Sequence, residues 1–251
     1  VQMQSIQNRL PDLPDPSLSH AYLGTLYLDR GETDKAIARF RRSLTLNPED
    51  ADLHNNLGSL LAQKGETGAA MAHYRKAIAI KPYLIKARSG LAGLCLRRGD
   101  LDGALEQYKQ VIEARPDLPE ARLNAALVYA RKNAHEKAIR EMEQALRVRP
   151  DWIEGLNTMA WLLANAKEED KQRRRARQAV AYAEKACELT DYKNPLILYT
   201  LSIAHAASAQ WDKSMETAES ALSKARAAGR QKLAQTIDNH MRRLRLEGML
   251  P

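Results

Sequence analysis

Proline recurs every 34 residues through most of the chain, at Pro14, Pro48, Pro82, Pro116 and Pro150. Ten prolines scattered over 251 positions would not fall in such a register, and a fixed period of this length means stacked copies of one supersecondary unit. Other positions keep step with the prolines. Leu23, Leu57, Leu91 and Ala125 form one series, and Gly24, Gly58, Ala92 and Ala126 follow them directly. Further along each unit come Gly31, Gly65, Gly99 and Asn133, then Ala36, Ala70, Ala104 and Ala138, then Phe40, Tyr74, Tyr108 and Met142.

Each series has a physical role. Gly or Ala in a first helix lets a neighbouring element approach closely. Gly31, Gly65, Gly99 and Asn133 tolerate the left-handed conformation that ends a helix and so mark the turn inside a helix pair. The small Ala of the second helix stands four residues before an aromatic or Met, on the same face, so the large side chain fills space between adjacent units. Proline then stops the second helix. Composition agrees: 44% hydrophobic residues suffice for a core, but one Phe, three Trp and nine Tyr with abundant Ala, Leu, Arg, Lys and Glu exclude an all-β fold.

This spacing of Leu-Gly, Ala, aromatic and Pro resembles the tetratricopeptide repeat (TPR) family over residues 17–152 without a gap. The resemblance implies an all-α, right-handed α-solenoid of about six helix-turn-helix units. The expected units are 17–50, 51–84, 85–118, 119–152, 153–194 with an insertion, and 195–228. In the fifth, Leu156, Met159, Ala160 and Leu163 start a first helix and Ala179, Ala183 and Ala186 a second, with 167–177 lengthening the connection. The sixth is degenerate, turning at Ala209-Gln210-Trp211-Asp212. A C-terminal capping helix is expected within 229–251, because Leu233, Ile237, Met241 and Leu244 repeat at helical spacing and a terminal repeat needs its apolar face covered. Residues 1–16 read as a linker or the remnant of a preceding repeat. The start at Val1 suggests a piece of a longer protein, so the compartment stays open between cytoplasmic and extracytoplasmic.

Signatures of catalysis are missing. There is no G-x-G-x-x-G, Walker loop, C-x-x-C or H-E-x-x-H, and His135-Glu136 meets Ile139 where a second ligand would stand. The expectation is a non-enzyme with no cofactor and no metal. His20 and His54 occupy the same slot of successive repeats and read as packing residues. Cys95 reads as a small buried hydrophobe, and Cys187 lies too far along the array to pair with it, so both thiols are expected to be free.

Function is therefore sought on the concave side of the stack. The family places groove-facing side chains at positions two, five, six, nine, twelve and thirteen of each unit. The resulting candidates for a peptide-binding groove are Asn55, Asn56, Ser59, Gln63, Lys86, Arg97, Asn124, Arg131, Asn157 and Trp161, with Asp29 and Asn165 beside them. An Asn amide both donates and accepts, so it can pair with a peptide backbone irrespective of side-chain sequence. Asn56 and Asn124 hold the slot that resembles the asparagine ladder of O-linked N-acetylglucosamine transferase repeats, interrupted by Tyr22, Gly90, Thr158 and Thr200. The family's clamp for the C-terminal carboxylate of chaperone tails is disfavoured, since of Ala21, Thr25, Asn56, Lys86 and Gly90 only two match its pattern. Lys86, Arg97 and Arg131 would attract acidic segments of a protein or peptide partner, and Trp161 would serve as an anchor.

The net charge of +8 is shared equally by the parts before and after Trp152. Two basic clusters, 171–177 and 224–245, offer an alternative, binding to nucleic acid or membrane headgroups. Nucleic acid is disfavoured because no aromatics are interleaved and Glu168-Glu169-Asp170 adjoin the first cluster. A narrower resemblance links the tail to the C-terminal repeats of bacterial multi-pass membrane proteins of the glycosyltransferase type. It rests on Trp161-Leu162-Leu163-Ala164, the run from Ala179 to Thr190, Asn194-Pro195 and Ala218-Glu219-Ser220-Ala221-Leu222, and implies an accessory domain of a membrane-anchored parent.

Overall fold

The computed structural model describes residues 15–166 and 172–247. The expected N-terminal remnant lies almost wholly outside the described residues, as do Lys171 and the last residues of the cap. Among the described residues the protein is all-α, thirteen helices forming six helix-turn-helix pairs and one terminal helix. They fall into two compact units divided between Arg115 and Pro116. The first holds α1 (Pro16–Asp29), α2 (Thr33–Leu46), α3 (Ala51–Gln63), α4 (Thr67–Ile80), α5 (Ile85–Arg97) and α6 (Leu101–Ala114). The second holds α7 (Pro119–Arg131), α8 (His135–Val148), α9 (Ile153–Asn165), α10 (Gln172–Glu188), α11 (Pro195–Ala207), α12 (Trp211–Ala227) and α13 (Gln231–Glu247).

Local chemistry sets the helix ends. Gly31, Gly65, Gly99 and Asn133 have φ between 56° and 80°, and the residue after each donates its N–H to the carbonyl five residues back, as in Glu32 to Tyr27 and Asp100 to Cys95, both 2.9 Å. This closes the first helix and starts the second within three residues. The second helices end at Asn47, Lys81, Arg115 and Arg149, each immediately before a proline and each with φ between −140° and −124°. That is the extended conformation a following proline imposes. Ala209 takes the same left-handed place in the sixth pair at φ 56° despite its Cβ, and Asp191 and Tyr192 end α10 where a proline is missing.

The glycines of the first helices accommodate aromatic rings from the second. A Cβ on Gly24 would stand 2.3 Å from the Phe40 ring, and one on Gly58 would stand 3.0 Å from Tyr74. Phe40 and Tyr74 are accordingly buried. Full burial of such a ring is worth roughly 2–3 kcal/mol.

A recurrent polar clip also closes the pairs. The side chain four residues into a repeat meets the one nineteen residues later: Arg88 Nη1 donates to Gln107 Oε1 at 3.0 Å, and Arg122 Nη1 to Glu141 Oε2 at 2.9 Å. In the second repeat the same slots hold His54 and His73, with their Nδ1 atoms 2.9 Å apart. His54 Nε2 lies 3.0 Å from the Pro48 carbonyl and must donate to it, so His54 Nδ1 accepts from His73 Nδ1–H. Arg88 Nε reaches the Pro82 carbonyl in the same way at 2.7 Å. His54 thus has a structural role, in keeping with its repeat slot.

Both cysteines are buried and free. Burial pushes the Cys187 thiol up to about 12, which makes it inert as a nucleophile. In the second unit a continuous core runs from Leu123 through Leu156, Leu163 and Leu201 to Ile237 and Met241 of α13. The capping helix therefore buries the face that its spacing marks as apolar. No helix among the described residues is long and apolar enough to cross a membrane.

Candidate functional site

In the first unit the candidate residues lie on α3 and α5, which pack side by side. Lys86, Gly90, Gly93 and Arg97 are separated by four, three and four residues and so share one face of α5, spanning about 16 Å at 1.5 Å per residue. Cations stand at the ends, and α5 itself places no side chain between them on this face. Space for a Cβ exists at Gly93, where nothing comes within 4 Å. Gly90 is different: a Cβ there would meet the Tyr74 ring at 2.4 Å and its hydroxyl at 2.7 Å. The Tyr74 ring thus reaches from α4 past Gly58 to the bare face of α5. Burial pushes the Tyr74 phenol up, opposed by the Ser59 hydroxyl and the positive charge of Arg97.

On α3, Asn56 and Gln63 are exposed and Ser59 is half-buried. Asn55 is buried and donates its amide to Asn56 Oδ1 at 3.3 Å. It contributes to the face through Asn56. Lys86 and Arg97 are both exposed.

The second unit carries a different face. Asn124 and Arg131 flank Leu127 on α7, Asn157 and Asn165 flank Trp161 on α9, and Leu196 and Ile203 flank Tyr199 on α11. Trp161 is 38% exposed, Leu127 40% and Leu196 46%, so apolar surface is open to solvent along successive first helices. Asn165 donates to the carbonyl of Trp161 at 2.8 Å, leaving the indole as the larger feature. Position nine of each unit, which includes Ser59 and Trp161 among the expected candidates, also holds Leu127 and Ile203. Comparing that position across repeats would have found them from sequence.

The basic clusters are less uniform than their sequence. Arg173, Arg174 and Arg177 are exposed, but Arg175 is buried and paired with Glu136. On α13, Arg242, Arg243 and Arg245 are exposed, while Arg226 of α12 pairs with Asp238 at 3.6 Å.

One Ser–His contact also occurs. Ser202 Oγ lies 3.0 Å from His240 Nε2 and donates to the Ser214 carbonyl at 2.9 Å, so it accepts from the imidazole. Ser202 and Ser214 are fully buried, and this arrangement ties α11 and α12 to α13 rather than exposing a nucleophile. Among the described residues no cluster of three or more His, Cys, Asp or Glu is placed to hold a metal.

Family models described as tetratricopeptide repeat match residues 23–85 and 119–151, and one described as TPR repeat matches 92–133. Among solved structures, the chain is similar to a tetratricopeptide repeat protein from Parabacteroides merdae, at 15% identity and a TM-score of 0.69, covering 91% of this chain and 93% of that one. It is similar to pilF of Pseudomonas aeruginosa at 20% identity and 0.67, covering 89% and 97%. It is also similar to YrrB, a TPR protein with an unusual peptide-binding site, at 18% identity and 0.62, covering 80% and 97%. No curated protein sequence matches the chain. At these identities the likeness is one of fold.

Proposed function

We propose, given that this chain belongs to the tetratricopeptide-repeat family, that it is a non-catalytic protein-interaction scaffold whose first-helix faces bind an extended segment of another protein. The observation that carries this reading is the stripe of Lys86, Gly90, Gly93 and Arg97 on α5. At Gly93, where nothing comes within 4 Å of a Cβ position, bare helix backbone lets a ligand main chain approach closely, and Asn56 on the adjacent α3 offers an amide for its peptide groups. Cations about 16 Å apart match two acidic side chains roughly five residues apart in an extended strand. The segment is therefore acidic, and its charges steer it onto the face. Peptide binding by the structurally similar YrrB is compatible with this use of the fold.

The test is capture of partners from the source extract on immobilised protein, with wild type compared with the Lys86→Glu/Arg97→Glu variant at low and moderate salt. A protein retained by wild type at both salts and lost from the variant is the expected result. Equal retention by the two would refute the reading, and recovery of nucleic acid or anionic lipid released by salt would move the function to the basic clusters.

A further inference from the structure

The second unit contains a cleft of about 560 Å3 where the loop before α9 meets the starts of α9 and α11. Its apolar wall is made by Trp152, Ile153, Leu196 and Ile197. The indole is hemmed in by two neighbours. The Arg149 guanidinium lies over it, 5.1 Å from the ring centre, and is itself paired with Glu120 at 2.8 Å. Gly155 makes room for it: a Cβ there would stand 2.6 Å from the ring. Trp152 is therefore a preformed wall, and Leu196, 46% exposed, faces water across from a cavity large enough for a branched or aromatic side chain.

Two polar groups at the cleft are left without partners among the described residues. Asn157 Oδ1 is buried and accepts no hydrogen bond. A buried acceptor in that state is costly. Glu154, on the same face of α9 one turn earlier, is exposed and has no charged partner among the described residues, whereas Asp151 is already paired with Lys185 at 2.6 Å. The cleft thus combines apolar walls with an unused acceptor and an unused negative charge.

We infer that this cleft is a binding site for a peptide segment in which an apolar side chain is followed by a cationic hydrogen-bond donor: the apolar group packs on Trp152 and Leu196, and the donor reaches Asn157 Oδ1 and Glu154. The site does not depend on the α5 stripe, whose charge selects the opposite sign of partner.

The experiment uses the whole chain, labelled with 15N, and three capped octapeptides in a glycine–serine background. One carries leucine then arginine, one leucine then glutamate, and one leucine alone. Saturable shifts of the Trp152 indole and Asn157 side-chain resonances are expected with the leucine–arginine peptide, at a Kd of about 1 mM or tighter, with the other two weaker. Glu154→Gln should weaken that peptide about two- to five-fold. Trp152→Ala should abolish the shifts, and Leu196→Ser, on an exposed position, provides the same readout should Trp152→Ala unfold the unit. Asn56→Ala, in the other unit, should change nothing, so loss of groove binding and loss of cleft binding are told apart. No saturable shift at the cleft, or equal affinity for the three peptides, would overturn the inference.

Discussion

The two units share a repeat and differ in what the repeat presents. At position nine of its first helices the first unit has Thr25, Ser59 and Gly93, and the second has Leu127, Trp161 and Ile203. Five of these six helices end in a left-handed residue, α9 being the exception, and both sets pair with second helices that bury Ala, so packing does not choose between them. The outward positions are free to vary because they add little to the core. One architecture therefore offers a small, polar, cationic face in one unit and an aromatic and aliphatic face in the other. A partner reads that contrast as two different surfaces.

The sharpest way to break the contrast is at the anchor. Trp161→Ala should weaken a partner held by the second unit by about 2 kcal/mol, or roughly thirty-fold, while Thr25→Ala changes affinity little. Thermal midpoints of the two variants should match the parent, since Trp161 is partly exposed and Thr25 exposed; affinity by calorimetry and unfolding by circular dichroism check both halves.

Next comes the floor of each face. Gly90→Val drives a side chain into the buried Tyr74 ring and should destabilise the first unit by about 1–3 kcal/mol. Position six already carries a Cβ at Asn124 and Thr158, so Asn124→Val should cost less in a denaturant titration. Equal costs would mean that Tyr74 does not occupy the space above Gly90.

A smaller effect separates the turns. Ala209→Gly should raise stability by about 0.5–1 kcal/mol, because Ala209 holds φ 56° where the first three repeats use glycine.

The smallest effect concerns pH. Burial lowers the proton affinity of His73 in the first unit and of His205 and His240 in the second, with Arg243 adding to the effect at His240. A group whose folded pKa lies below its unfolded value of about 6.5 binds more protons unfolded. Stability is then full above pH 6.5 and declines as the pH falls from there towards the folded pKa. His240→Gln keeps a donor for Ser202 but cannot be protonated, so it should make the acid limb of the stability curve shallower. A limb of unchanged steepness would show that His240 does not charge before the second unit unfolds.

Much of this was legible in the residues themselves. Pro48 and Gly65 announce helix ends because their effect is local, exerted through φ and ψ of one or two residues. Leu57, Ala70 and Tyr74 declare a shared face through their spacing. The exposure of Lys86, Arg97 and Trp161 was readable because a repeat position implies a side of the helix. The sequence alone thus determined the helix count per repeat, the turns and the outward faces: each follows from propensity and period within one 34-residue unit.

Other features depended on atoms that meet only after packing. Asn55 shares the face's spacing, yet it is buried against its neighbour. The His54–His73 clip, the Tyr74 ring over Gly90 and the burial of Arg175 against Glu136 each join residues sixteen to thirty-nine positions apart. The cleft likewise depends on packing: Trp152 forms a wall where Gly155 leaves room for the ring and Arg149 lies over it, with α11 supplying the far side. Tertiary structure decided these arrangements, because rotamers and unpaired polar groups are set by the shapes of packed neighbours, which helical period and propensity do not specify.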